Sequence, residues 1–478
     1  MEEVSDKVPP HEVEREAKFS LISSESAPES QSSSSVQVEA DKPKESNDVE
    51  WSHDPHNPWN WTPRKKLFQV LMLCSMNLLA SMATSITSPA NAALMDEFNV
   101  SRIVAILPLT SYVLAMGFGP IIGGPLSETV GRYPVYVLTI PLGALFGLGA
   151  GFTHNFGALC FLRFLSGLCW GPVLAISSGS ISDTFAPQVR GPVSAVTVLV
   201  PFLGPGLGPV IGSLVVSRKD WRWTQWTLLF LAGLSMLLVT LSEETLHPVI
   251  KRRLAKKRGQ SVPKPLPLAA RLRTFAIVGL IRPIRMLFLE PIVSCICLYI
   301  AAEFGTLFSF FAAVPYAFGK VYHFSLEQSG LVFLSIVIGC FIGLITIFLC
   351  EIFHYRKQIP RYPANRIPPE HRLYPAMIGS IVMPIGLFWY AWTVRSTISW
   401  ASPAAAIIPF AWGNLLARYG FAGVFPLFTI QMYEKLGIAW ASSLLGFIAL
   451  VLMPIPWVLF KYGPRIRARS QYETIQYS

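Results

Sequence analysis

Charged side chains are scarce in this chain of 478 residues: Asp, Glu, Lys and Arg make up only 14%, where a soluble domain carries about 25%. That shortage excludes an ordinary water-soluble globule, which needs more polar surface than this to cover its core. Regular cysteine spacing is missing as well. The seven cysteines, at 74, 160, 169, 295, 297, 340 and 350, lie in or beside apolar runs without a metal-ligand or disulfide pattern, so they are read as small core residues. No His, Asp or Glu converges on a nucleophile motif, which argues against an enzyme, and His154 and His247 stand at loop edges with no evident partner. The first residues lack a short apolar core, so no cleaved signal peptide is expected.

What is abundant is apolar. Hydrophobic residues make up 52% of the chain. They recur in runs of about 18 to 25, each long enough to cross a hydrocarbon layer of roughly 30 Å. The fold class is therefore an all-α polytopic membrane protein. Spans are expected near Leu67 to Ser88, Val104 to Leu126, Pro134 to Phe152, Phe156 to Ser178, Val193 to Val216 and Trp223 to Leu241. After a hydrophilic connection come Ile292 to Phe318, Ser329 to Leu349, Leu373 to Trp392 and Ser442 to Phe460, with an anomalous apolar stretch, Ala401 to Ile430, before the last.

Charge is unevenly spread. Residues 1–50 hold 13 acidic and five basic side chains, whereas the remainder carries 34 basic and 15 acidic. The basic excess sits in loops, above all 243–285 with eleven Lys or Arg and two Glu, and reads as positive-inside topology rather than a nucleic-acid patch. The expected organisation is a disordered acidic cytosolic tail over 1–50, an aromatic and basic juxtamembrane anchor over 51–66, and an N-terminal six-helix bundle over 67–242. A basic cytoplasmic loop over 243–285, a C-terminal bundle over 286–461 and a cytoplasmic tail over 462–478 follow. Two bundles around a midplane cavity are the layout of a transporter for a small-molecule substrate in a lipid bilayer, with no nucleic-acid partner.

Within the apolar runs, a few residues stand out. Arg163 is a permanent cation at membrane depth; it either shifts a neighbouring group's proton through its field or is satisfied by carbonyls near a helix end. Glu303 lies well inside an apolar run, where an acid either titrates, attracts a cationic substrate, or pairs with an arginine or polar neighbour. Asp96 and Glu97 read as exposed loop acids. Gly204, Gly208, Pro209 and Gly212 place small residues every fourth position, making a flat packing face on a bent helix. Gly123, Glu128, Gly131 and Arg132 form a glycine-rich turn with opposite charges, and Asp183 closes a later span. Tyr112, Tyr299, Phe308, Phe311 and Tyr316 either line a cavity or simply pack.

In their order along the chain, these motifs resemble the major facilitator superfamily, in particular its fungal drug:proton antiporters of the twelve-span class. The resemblance runs from Asp54-Pro-His-Asn-Pro-Trp-Asn-Trp61 to Lys461-Tyr-Gly-Pro. It implies a charge-relay latch built from Gly123, Glu128, Gly131, Arg132 and Asp183, with Thr129 and Tyr133 where basic residues are common. It also implies proton coupling through Arg163 and an antiporter helix motif at Gly204 to Gly212; Glu303, singled out by its place inside an apolar run and not by the resemblance, is a second candidate for proton coupling. The implied function is export of small apolar or cationic compounds, driven by protons with no other cofactor. The expected state is a monomer, and the expected site the plasma membrane or the vacuolar membrane. A polyamine or nutrient facilitator or importer, and a transport-defective truncated isoform or membrane sensor, remain open.

The resembled family has six spans in its second half, and only five apolar segments are evident here. On the order of 30 to 40 residues are missing near 412–414 by that comparison, since each span needs about 20. Either Ala401 to Ile430 crosses once, giving eleven spans and an exterior tail bearing Lys461, Arg465, Arg467 and Arg469, or Gly413-Asn414 turns a re-entrant hairpin, giving ten spans and the hairpin ahead of the final one. The hairpin is favoured because the family pattern keeps Pro426 to Gly437 outside.

Overall fold

Inside a hydrocarbon layer each backbone N–H and C=O must be bonded within its own segment or a closed barrel, so apolar runs of this length become helices. The computed structural model describes residues 51, 53–186, 189–259, 285, 288–289, 291–358, 373–416, 443 and 446–467, and among them there are helices and turns but no strand. The first half contains α1 (Pro63–Met82), the short α2 (Asn91–Phe98), α3 (Leu107–Val130), α4 (Arg132–Phe152), α5 (Phe156–Thr184), α6 (Arg190–Val216) and α7 (Trp223–Thr240). The basic helix α8 (His247–Lys257) follows. The second half contains α9 (Pro291–Tyr322), α10 (Leu326–Leu331), α11 (Leu334–Cys350), α12 (Tyr374–Thr393), α13 (Ala401–Leu416) and α14 (Pro454–Arg467). Among the described residues eight helices are long and apolar enough to cross a membrane.

Local chemistry explains the helix starts. Pro63, Pro108, Pro248 and Pro375 occupy first turns, where the missing N–H costs nothing. The Asn155 side chain accepts a bond from the Ala158 amide at 3.1 Å, and Ser325 with Gln328 forms a reciprocal capping box.

Two expected segments differ. The first span was expected to run to Ser88, but α1 ends at Met82 and Ala83–Thr87 form turns. The segment Thr84-Ser-Ile-Thr-Ser-Pro89 gives the backbone competing partners: the Thr84 hydroxyl donates to Ser81 O at 2.6 Å, the Ser85 hydroxyl to Gly204 O at 3.3 Å, and Pro89 has no N–H to give. In the Ala401 stretch, α13 runs helically through Gly413 and Asn414 to Leu416, so the hairpin turn expected at that pair is corrected. Gly413 serves close packing on Met383 and Gly379 of α12 instead. Residues 417–442, which decide between ten and eleven crossings, lie outside the described residues. So do the acidic tail, most of the 243–285 loop, residues 468–478 and the Cys295 side chain.

α3 packs along α5, α4 lies against α5 and α7, and α1 lies against α6; in the second half α13 packs on α11 and α12. The seam between the halves is carried by α6 against α10 and α11. Across it the Ser88 hydroxyl donates to Phe311 O at 3.0 Å, and the Ser217 hydroxyl donates to Glu327 at 2.6 Å. The first half has its own core, around Met76, Tyr136 and Trp170. A second core joins Val113 of α3 and Phe202 of α6 to Phe308, Phe333 and Phe410 of the other half.

Candidate functional site

Arg163 is completely buried on α5. Its Nη2 donates to the main-chain oxygen of Ala83, where α1 has just ended, and its guanidinium lies 4.5 Å from the centre of the Tyr112 ring. Nε and Nη1 have no hydrogen-bond partner among the described residues. A helix end leaves carbonyls unbonded and partially negative, so a guanidinium there is held by geometry as well as charge. Tyr112 is equally buried, and its hydroxyl donates to Ala80 O at 2.8 Å. The first-half aromatic is thus a ledge under the arginine.

Glu303 sits in the middle of α9 with 3% exposure. No Lys, Arg or His pairs with it among the described residues. Its neighbours are polar and neutral: Asn414 of α13 donates to the Glu303 main-chain oxygen at 2.6 Å and comes within 3.4 Å of Oε2, and Tyr299 lies one turn back. The next residue, Phe304, meets Phe202 of α6 with ring centres 5.6 Å apart, which puts the acid at the seam. Phe308 and Phe311 form an edge-on pair in the shared core. Tyr316 lies farther along α9, its hydroxyl accepting from Lys320 at 3.0 Å and its ring facing Arg102, away from that cluster. Alongside, a wholly apolar groove of about 440 Å³ runs between α9 and residues 447–452.

At the α3–α4 turn, Gly131 adopts φ +114°, a conformation that only glycine takes without strain, and a side chain there would collide with Glu244. The turn delivers Arg132 to Asp183, Nε to Oδ2 at 3.2 Å, and to the Ser127 hydroxyl. Gly123 packs on Pro172 of α5. Glu128, in contrast, is exposed and makes no ion pair among the described residues. The acid that binds the turn is Glu244, which has 6% exposure and accepts from the amides of Arg132, Tyr133, Thr245 and Leu246. Sequence reading missed it because it looked like one more acid of a hydrophilic loop. His247 is also partnered, its Nε2 lying 2.6 Å from Asp183 O and its ring against Trp59, which corrects the expectation that it had none.

Gly204, Gly208 and Gly212 press α6 onto the broken end of the first span, where added carbons would strike Ser81, Ser85 and Ile86. Pro209 is buried on the same helix. At the opposite end of the first half, Glu97 takes a two-pronged bond from Arg222 and one from the Trp221 indole. Those donors hold its carboxyl below the usual range. His154 lies 3.3 Å from the same guanidinium, again contrary to the expected lack of partners.

An arginine buried inside the first half, an acid buried at the seam and a stripe of small residues on α6 are features of a membrane transporter. The sequence pattern of the Major Facilitator Superfamily matches residues 73–460, and the chain belongs to that family. It is 34% identical to polyamine transporter 4 of Saccharomyces cerevisiae, over 90% of this chain and 74% of that protein. It is 34% identical to fluconazole resistance protein 1 of the same yeast, over 94% and 88%, and 35% identical to the MFS-type transporter traF of Penicillium crustosum, over 88% and 92%. The first of these alignments spans 492 positions, more than this chain possesses, so it is interrupted by gaps. Among solved structures, the human organic anion transporter MFSD10 superposes with a TM-score of 0.56 at 16% identity, covering 83% of this chain and all of that one. The proton:xylose symporter XylE superposes at 0.51 and 16%, covering 85% and 90%. These likenesses are of fold. The protein is an integral membrane transporter.

Proposed function

We propose that this transporter is a proton-coupled antiporter that exports small apolar or cationic compounds across the plasma membrane by alternating access, acting as a monomer. The observation that carries the reading is Glu303, a buried acid with no counter-cation among the described residues, next to a residue that touches the other half. A carboxylate in such a setting is relieved by one proton or one cationic ligand, and the two exclude each other. Exchange needs that exclusion, because proton and substrate must favour states facing opposite ways. Arg163 supplies a fixed positive field that biases where the proton rests. With the basic loop on the cytosolic side, the Arg132, Asp183 and Glu244 cluster latches the cytosolic end.

Export of a fluorescent cation from loaded cells should accelerate when the outside is acidified, and Glu303→Gln should remove that dependence. Wild-type export that ignores external pH would falsify antiport. A second reading, a facilitator or importer of a polyamine or other nutrient, is favoured by the likeness to a protein named for polyamine transport. Counterflow of labelled polyamine with no proton gradient distinguishes it.

A further inference from the structure

Around Glu303 the acceptors outnumber the donors. The 2.6 Å contact between Asn414 and the Glu303 main-chain oxygen settles which end of the amide is nitrogen, since a carbonyl only accepts. The other end, Asn414 Oδ1, is therefore an acceptor, and it is buried with no donor among the described residues. The Tyr299 hydroxyl lies beside the carboxylate, four residues back on the same helix, where its O–H can donate to Glu303 and its oxygen can accept. Two carboxylate oxygens, the Asn414 amide oxygen and the phenol oxygen thus have two donor hydrogens to share, the phenol O–H and the one hydrogen of the Asn414 NH₂ group not committed to the main chain. Phe304 packs on Phe308 and on Phe202. The carboxylate attracts any cation, so hydrogen bonding to the neighbouring oxygens is what separates one cation from another.

We infer that Tyr299, Glu303 and Asn414 form a recognition site for cations that carry N–H bonds, protonated primary or secondary amines, and that the site rejects quaternary ammonium ions. The inference rests on the reading of Glu303 as the exchange site and narrows its ligand. An ammonium group brings charge to Glu303 and N–H donors to Asn414 Oδ1 and Tyr299. A quaternary nitrogen brings the charge alone and leaves Asn414 Oδ1 buried and unbonded. A buried acceptor left without its donor weakens binding roughly ten- to hundredfold.

The test is a binding titration on the purified full-length protein, with no ion gradient, using phenethylammonium and its N,N-dimethyl and N,N,N-trimethyl derivatives. The expected result is affinity falling along that series, with the trimethyl ion at least about tenfold weaker than the primary amine. Asn414→Leu should bring the two within about twofold of each other, and Tyr299→Phe should narrow the gap by a smaller factor. Thermal unfolding checks that each variant is folded; if Asn414→Leu is not, Tyr299→Phe decides, because it deletes one oxygen and keeps the ring. Equal binding of primary and trimethyl ions, binding of neither, or a ratio unchanged in the folded variants overturns the inference. Selectivity for N–H with export that ignores pH rejects antiport alone. No selectivity with pH-driven export rejects this site alone.

Discussion

Arg163 donates from Nη2 to the main-chain oxygen of Ala83, 80 positions earlier, at the point where the first membrane helix stops. One arginine thus closes a helix end and also keeps two donor nitrogens, Nε and Nη1, without partners among the described residues, in the interior of the first half. The two roles separate under substitution.

Arg163→Gln retains a donor for Ala83 O but removes the charge. The expected outcome is a melting temperature within a few degrees of wild type, with export driven by external acid reduced at least roughly tenfold. Preserved pH-driven export would leave the arginine only its structural bond.

Glu244→Ala strips the acceptor from four amides at the α3–α4 turn and the start of α8. A loss of about 1–3 kcal/mol is expected, seen as earlier thermal unfolding, with Glu244→Gln intermediate because its amide oxygen still accepts. A Glu128→Ala control, at an exposed position, should melt as wild type.

Gly208→Leu should force α6 away from Ser85 and Ile86 and destabilise by about 1–3 kcal/mol. Gly233→Ala on α7, where an added carbon meets nothing within 4 Å, should be neutral. Equal melting of the two variants would show that the fifth-span stripe is not a tight contact.

Acid should loosen the knot around Glu97. Arg222 and Trp221 lower its carboxyl from the ordinary 4.5, so the folded state binds this proton less readily than the unfolded chain. The resulting stability is fully present above pH 4.5 and is lost as pH falls through the lowered value. Melting temperature recorded from pH 6 to pH 3 should drop less steeply for Arg222→Gln than for wild type; identical slopes would remove Glu97 from the account of acid sensitivity.

Much of the fold was legible in the chain because hydropathy is a local sum: the limits of α4, α6, α7 and α12, and the start of α5, follow from which twenty neighbours are apolar, while α5 runs past the expected end at Ser178 to Thr184. The break after Met82 was missed, since a run of Thr and Ser still scores as tolerable in a span while its hydroxyls compete for the backbone. Asn414 carried a readable signal, a lone amide in an apolar run, but its neighbour Gly413 made the pair look like a turn.

Sequence alone determined that this is an α-helical membrane protein and that Arg163 and Glu303 are anomalies, because a charge inside an apolar run is visible without knowing what it touches. Only the tertiary structure decided their company: Ala83 for Arg163, Asn414 for Glu303, and Glu244 rather than the nearby Glu128 for the turn at Arg132. Those partners lie 80 to 112 positions away. Hydrogen bonds form between atoms that packing brings within about 3 Å, and distance along the chain does not set that.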